Sequence, residues 1–200
     1  MASSTEICNS ALIKLGVEPI TSLSEDSKPA SLCNRQYARL RDKRLVSHYW
    51  NFAMKRVEIA AISTSPTFGF DYQYQLPSDC LRVLHLNGKN YRFKVEQNRY
   101  LHTNLASAKI LYITQETDVS KYSPTFSELL SYDIAVDLCW ALTGKRTLKE
   151  DLLKERAVLL ADARSIDAQE GFMDSLIADE WIEARQGDPT GDYFYDESID

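Results

Sequence analysis

The chain predicts an α+β fold, mainly α: a helical bundle with an inserted antiparallel β-sheet and hairpin region, followed by an extended acidic C-terminal arm. Three features lead there. Apolar residues at helical spacing fill both ends of residues 1–168, and several of these runs are preceded by hydroxyl and carboxylate residues at capping distance. The middle of the chain changes to the two-residue alternation of a half-buried strand. Beyond residue 168 the composition turns sharply acidic. These shifts divide the chain into a bundle formed by 1–51 and 118–168, a β insertion at 52–117, and an arm at 169–200.

Ser3, Thr125 and Thr147 each stand three positions before a glutamate (Glu6, Glu128 and Glu150). This is capping-box spacing, in which hydroxyl and carboxylate satisfy orphan backbone donors at a helix start. It predicts helices over 4–15, 126–143 and 148–168. A further helix is expected over 29–49, with Cys33, Tyr37 and Leu40 on one face and Pro29 in its first turn. In the middle, Phe70, Tyr72, Tyr74 and Leu76 alternate with Asp71, Gln73 and Gln75, the period of a strand. Asn87-Gly88, between Val83-Leu84-His85-Leu86 and Tyr91-Arg92-Phe93-Lys94-Val95, predicts a hairpin, because both turn residues accept positive φ. Ile110-Leu111-Tyr112-Ile113 supplies another short strand and residues 54–62 an earlier one.

An apolar fraction of 44% and a charged fraction of 26% are those of a globular protein, and 200 residues suffice for a sizeable core. No apolar run has the length of a membrane span, and Met1-Ala2-Ser3-Ser4-Thr5-Glu6 lacks the pattern of a leader, so a cytosolic product without a membrane partner is expected. Cys8, Cys33, Cys80 and Cys139 include no C-x-x-C pair and have no histidine at ligand spacing; they read as reduced, mostly buried thiols, with no metal site. There is no G-x-S-x-G, H-E-x-x-H or phosphate loop, so no catalytic residue and no cofactor is assigned. His48, His85 and His102 read as packed or partly exposed. Asp133 and Asp137, four apart on a predicted helix, are a pair that acid–base hydrolysis of a glycan would need, though an exposed helix face is the plainer reading.

Residues 167–200 hold eleven acids against Arg185 alone, leaving 18 acids and 22 bases in 1–166. The whole-chain charge of −6 conceals this split. A solvated terminus explains such a tail simply. This one, however, interleaves Phe172, Met173, Leu176, Ile177, Trp181 and Ile182, then Tyr193, Phe194 and Tyr195, with Gly187-Asp188-Pro189-Thr190-Gly191 between the two groups. The first six fall near helical spacing. An aromatic acidic arm of this kind is expected to lie across a neighbouring subunit or another ring. Arg35, Arg39 and Lys43 recur at i, i+4 and i+8 and share a helix face, with Arg41 and Arg44 nearby. That stripe is open to three readings: a neighbour's carboxylates, DNA, or plain solvation. It lacks the motifs of sequence readout.

Several weak elements also stand in one order. Ala11-Leu12-Ile13-Lys14-Leu15-Gly16 closes an apolar helix on glycine, Pro19, Ile20, Ser22 and Leu23 form a connector, and the next helix runs to Trp50-Asn51-Phe52. Leu76-Pro77-Ser78-Asp79-Cys80-Leu81-Arg82-Val83 follows. This order resembles the tail tubular protein A, or head-to-tail adaptor, family of short-tailed bacteriophages, strongly to residue 86 and loosely to about residue 165.

The resemblance implies a non-enzymatic virion protein at the head–tail interface. It would form a ring, twelve copies by analogy, that joins the portal protein to the tail nozzle protein and extends the channel for genomic DNA, which passes without sequence-specific binding. Tight phosphate contacts would add drag to that passage. The expected contact elements are Phe172, Trp181, Tyr193, Phe194 and Tyr195 of the arm, the Asn87-Gly88 turn, and the Arg35, Arg39 and Lys43 face. Trp50 and Phe52 are assigned to the joint between bundle and sheet. The alternatives are a head-completion connector of a long-tailed phage, a small scaffold protein, and a tail-associated glycan hydrolase.

Overall fold

A computed structural model describes residues 3–88 and 91–170. Helix α1 (Ser4–Lys14) starts with the predicted capping box: the Ser3 amide donates to Glu6 Oε2 at 2.7 Å, and the Glu6 amide donates to Ser3 Oγ at 3.1 Å. It ends at Gly16, whose φ of 68° lets the Gly16 amide reach the Ile13 carbonyl and the Val17 amide reach the Leu12 carbonyl, a Schellman closure. Asn9 then holds the connector by donating to the Ile20 carbonyl and accepting from the Ile20 amide.

Helix α2 (Lys28–Val46) begins at Ser27, which accepts from the Ala30 amide, with Pro29 in the first turn. Cys33, Tyr37 and Leu40 share its buried face as their spacing requires. Three residues earlier than expected, the helix stops at Val46. Ser47 Oγ and Trp50 Nε1 both donate to the Arg44 carbonyl, so side chains replace the next turn. Cys8 and Cys33 meet between α1 and α2 as free thiols; their mutual hydrogen bond and burial push the Cys8 thiol far above its usual range.

A short turn over Asn51–Ala53 leads into six strands. One antiparallel sheet orders β1 (Met54–Ile59), β6 (Ala108–Thr114) and β3 (Cys80–Leu86), with β6 central. The other orders β2 (Tyr72–Gln75), β5 (Tyr100–Thr103) and β4 (Phe93–Glu96). Ala108, Ile110 and Tyr112 of β6 join Tyr74, Leu76, Leu86 and Leu101 in a small core associated with the sheets, while Ile113 belongs to the helical core. Alternation along one strand therefore ties two cores together.

The predicted hairpin across Asn87-Gly88 is corrected. The turn forms with positive φ at both residues (52° and 69°), but β3 pairs with β6 and β4 pairs with β5, so the chain changes sheet there. The hairpin forms instead between β4 and β5, around Gln97 and Asn98, which also take positive φ (54° and 52°). Local turn chemistry fixes the bend, but not which strand lies beside which.

Helix α3 (Pro124–Thr143) starts two residues earlier than Thr125 suggested: Ser123 Oγ accepts from the Phe126 amide, and Pro124 occupies the first position. Its buried residues include Phe126, Leu129, Leu130, Ile134, Val136 and Leu138, and it ends at Gly144 with φ 66°. Helix α4 (Arg146–Gln169) follows Lys145, which provides no side-chain cap; Thr147 lies inside the helix and caps nothing. The fold is α+β and mainly α, with four long helices and two small sheets among the described residues.

Candidate interaction surfaces

Helix α3 carries a polar stripe at Asp133 and Asp137, one turn apart. Arg44 Nε and Nη2 on α2 donate to the two oxygens of Asp133 at 2.6 Å each, and Arg156 Nη1 on α4 adds a third donor at 3.1 Å. Asp133 and Arg44 are 7% and 10% exposed at the side chain, which corrects the reading of Asp133 as part of an exposed face. A carboxylate so enclosed needs this paired, multiply bonded geometry to offset its lost hydration. One turn on, Arg39 Nη2 donates to both Asp137 oxygens at 3.0 Å. Two arginines of α2 thus find their carboxylates within the same chain. Arg35 and Lys43, exposed on α2, make no ion pair among the described residues.

The stripe continues to Trp140, which sequence reasoning passed over. It lies seven positions after Asp133 and three after Asp137, so its place on a polar helix face was readable. This tryptophan is 64% exposed and borders an apolar groove with Leu153, Lys149, Arg146 and Glu150 of α4. Arg146 Nε is spent on Glu150 at 3.3 Å. Trp140 and Leu153 together give this groove an apolar floor rimmed by charged side chains.

At the Asn87-Gly88 turn, Asn87 Nδ2 donates to the Ser107 carbonyl at 3.0 Å and Oδ1 accepts from the Lys109 amide at 2.7 Å. The side chain extends the β3 ladder onto β6, so Asn87 has a fold role besides any contact role. Asp79 holds the start of the same strand: Lys55 Nζ, Thr114 Oγ1 and Tyr112 Oη all donate to its carboxylate, at 2.9, 2.8 and 3.1 Å. The Lys55 hydrogen bond leads in holding the Asp79 carboxyl below its ordinary range. Burial raises its neighbours, the Cys80 thiol to about 11 and the Tyr112 hydroxyl to about 12.

Between bundle and sheet, Trp50 is fully buried, with its ring edge-on to Phe126 at 5.2 Å; Phe52 packs on Phe126 at 4.9 Å and on Tyr122 at 5.5 Å. Beside them the end of α4 is pinned. Asp167 accepts from the Asn51 amide at 3.1 Å and faces His48 Nε2 at 3.1 Å, while Asn51 Nδ2 donates to the Asp167 carbonyl at 2.6 Å. Desolvation lowers the His48 pKa against the opposing pull of Asp167. His102 on β5 is buried, 3.7 Å from Glu96, and lines an open hollow of about 660 Å³ together with the 64–70 loop. Neither histidine is hydrogen-bonded to a serine, threonine or cysteine among the described residues, so neither forms a nucleophile–base pair there. No cluster of three or more metal-ligating side chains occurs among the described residues.

The geometry therefore offers surfaces for contact: the α2 basic face, the Trp140 groove and the Asn87-Gly88 turn. They stand on different elements and do not converge on one site. Phe172, Trp181, Tyr193, Phe194 and Tyr195 lie outside the described residues. In comparison with known proteins, the chain matches no family model and no curated sequence.

Proposed function

We propose that this chain is a structural virion protein, a head-to-tail adaptor of the tail tubular protein A type, and not an enzyme. The observation that carries the reading is the order of elements: two helices, six strands in two sheets, then two helices. Such an order is what the resemblance implies. The Leu76-Pro77-Ser78-Asp79 segment adds to it, since Asp79 gathers donors from β1 and β6 where β3 begins. In this reading the helical parts, 1–51 and 118–168, form the body of a ring, and 52–117 reaches toward a second component of the tail.

The mechanism is mechanical. Copies, twelve by analogy, arrange on the portal protein and extend its channel, so that the nozzle protein attaches and genomic DNA is retained until ejection. Of the α2 stripe, Arg44 is neutralised within the chain and Arg39 is paired with Asp137. Few free cations then remain on that face to hold a sliding duplex. The length of the β insertion favours this type over the compact head-completion connector.

Solution mass measured by light scattering, alone and after mixing with a candidate portal ring, tests the proposal. The expected result is a stoichiometric collar on the portal, visible in negative stain. A protein that ignores the portal ring overturns it.

A further inference from the structure

The Trp140 groove and the basic flank beside it are features that the packing of the helical core leaves unexplained. Trp140 is 64% exposed, while Asp133 and Asp137 of the same stripe are occupied by arginines. Around it the charge is mostly positive. Arg35, Arg39 and Lys43 recur one turn apart on α2, and Arg39 reaches Asp137, one turn from Trp140. On the α4 side stand Lys149 and Arg146 at the groove and Arg156 at Asp133. The exposed acids on this flank are Asp137 and Glu150, and each already accepts from an arginine. Such a surface suits an occupant that carries both carboxylates and large apolar groups.

The chain contains one such segment. Residues 171–200 carry nine acids against Arg185 alone, with Phe172, Trp181, Tyr193, Phe194 and Tyr195 among them. We infer that this acidic aromatic segment of one copy docks on the α2–α3–α4 flank of a second copy, with aromatic side chains against Trp140 and Leu153 and carboxylates toward Lys149 and Arg35. The inference rests on the proposed ring and names its subunit contact.

Placement favours a second copy over the chain's own flank. From Lys149, at the groove, to Gln169, α4 rises about 30 Å at 1.5 Å per residue. Its far end is fixed at Asp167 by His48 and Asn51. The segment thus departs at the opposite end of α4 from the Trp140 groove, whose α4 lining is Arg146, Lys149, Glu150 and Leu153. Donor and acceptor surfaces at opposite ends make a head-to-tail contact, the kind that closes into rings. Thirty residues reach at most about 100 Å when extended, enough for either groove, so direction decides. Docking in the same chain needs the segment to reverse and run back along α4, while a neighbour beyond the end of α4 needs no reversal.

A zero-length carbodiimide cross-link joins lysine amines to carboxylates in direct contact. Equal amounts of ordinary and nitrogen-15-labelled full-length chain are mixed, cross-linked alone at high concentration and again in the presence of the portal ring, then digested for mass spectrometry. Mixed-isotope pairs joining Lys149 to acids within 174–200 are expected, and Trp140→Ala should reduce them at least threefold with an unchanged melting temperature. Pairs confined to one isotope, or mixed pairs absent under both conditions, overturn the inference. Arm links that persist undiminished in Trp140→Ala overturn the groove as their site. A portal collar without these links leaves the adaptor reading standing and removes this one; links without a collar do the reverse.

Discussion

The helical body and the sheet region are held together by different means. The body shares one core of 25 buried apolar residues, spanning all four helices and Ile113 of β6. The sheet region buries seven in its own cluster and relies on polar ties at its ends: Asp79 under β1 and β6, Asn87 on β6, and Tyr74 Oη donating to the Leu105 carbonyl at 2.6 Å. Short strands with a small core leave more backbone ends to satisfy, and side chains do so here. The body is therefore most sensitive to a cavity or to a broken buried ion pair, while the sheets depend on several smaller polar ties at their ends.

Trp50→Ala should have the largest effect, because the ring is fully buried in the core of the body at the point where the chain leaves α2 for β1. Removing a fully buried tryptophan packed on Phe126 is expected to cost about 3–5 kcal/mol. Denaturant unfolding should show the loss, and a midpoint equal to that of the parent protein would refute the joint role. Arg44→Met comes next. It leaves Asp133 buried with Arg156 as its remaining donor, and the expected cost is about 3 kcal/mol. The double variant Arg44→Met with Asp133→Leu should recover most of that loss; if it does not, shape at the α2–α3 contact matters more than charge.

On the sheet side, Asp79→Asn should destabilise by roughly 1–2 kcal/mol, since it weakens several charge-assisted bonds at once. The Asp79 pKa is depressed in the folded state, so its contribution is complete above the unfolded value near 3.9 and fades as pH falls through the folded one. Stability curves measured from pH 6 to 2 should fall less steeply below about pH 4 in the variant. Curves that run parallel would assign the effect elsewhere. The smallest change is expected for Asn87→Gly, which keeps the positive φ but loses both side-chain bonds to β6, at about 1 kcal/mol. Faster hydrogen exchange at the Lys109 amide, with the helices unaffected, would show that the sheet edge opens by itself.

Legibility followed the same division. Cys33, Tyr37 and Leu40 mark the buried face of α2 by spacing alone, and Ser3 with Glu6 marks the start of α1. The other two capping boxes misled, because Ser123 outcompeted Thr125 and nothing caps at Thr147. In the sheets, Asn87-Gly88 carried the stronger turn signal, yet the hairpin formed at Gln97 and Asn98, where no glycine announced it. For the candidate surfaces, the α2 stripe was visible as a periodicity, whereas the burial of Arg44 on Asp133 was not. Trp140 could have been placed beside Asp133 and Asp137 by spacing, but its exposure could not, because Asp133 on the same stripe is buried.

What the sequence determined by itself is whatever depends on neighbours within a few positions: helix location, the start of α1, the strand period, and the charge split between body and tail. Only the tertiary structure decided which strand pairs with which, which carboxylate receives which arginine, and which large apolar side chain stays outside. These outcomes compare contacts between residues distant in the chain, such as Arg44 with Asp133 or Asn87 with Lys109. Their energies depend on burial and geometry that no local pattern encodes.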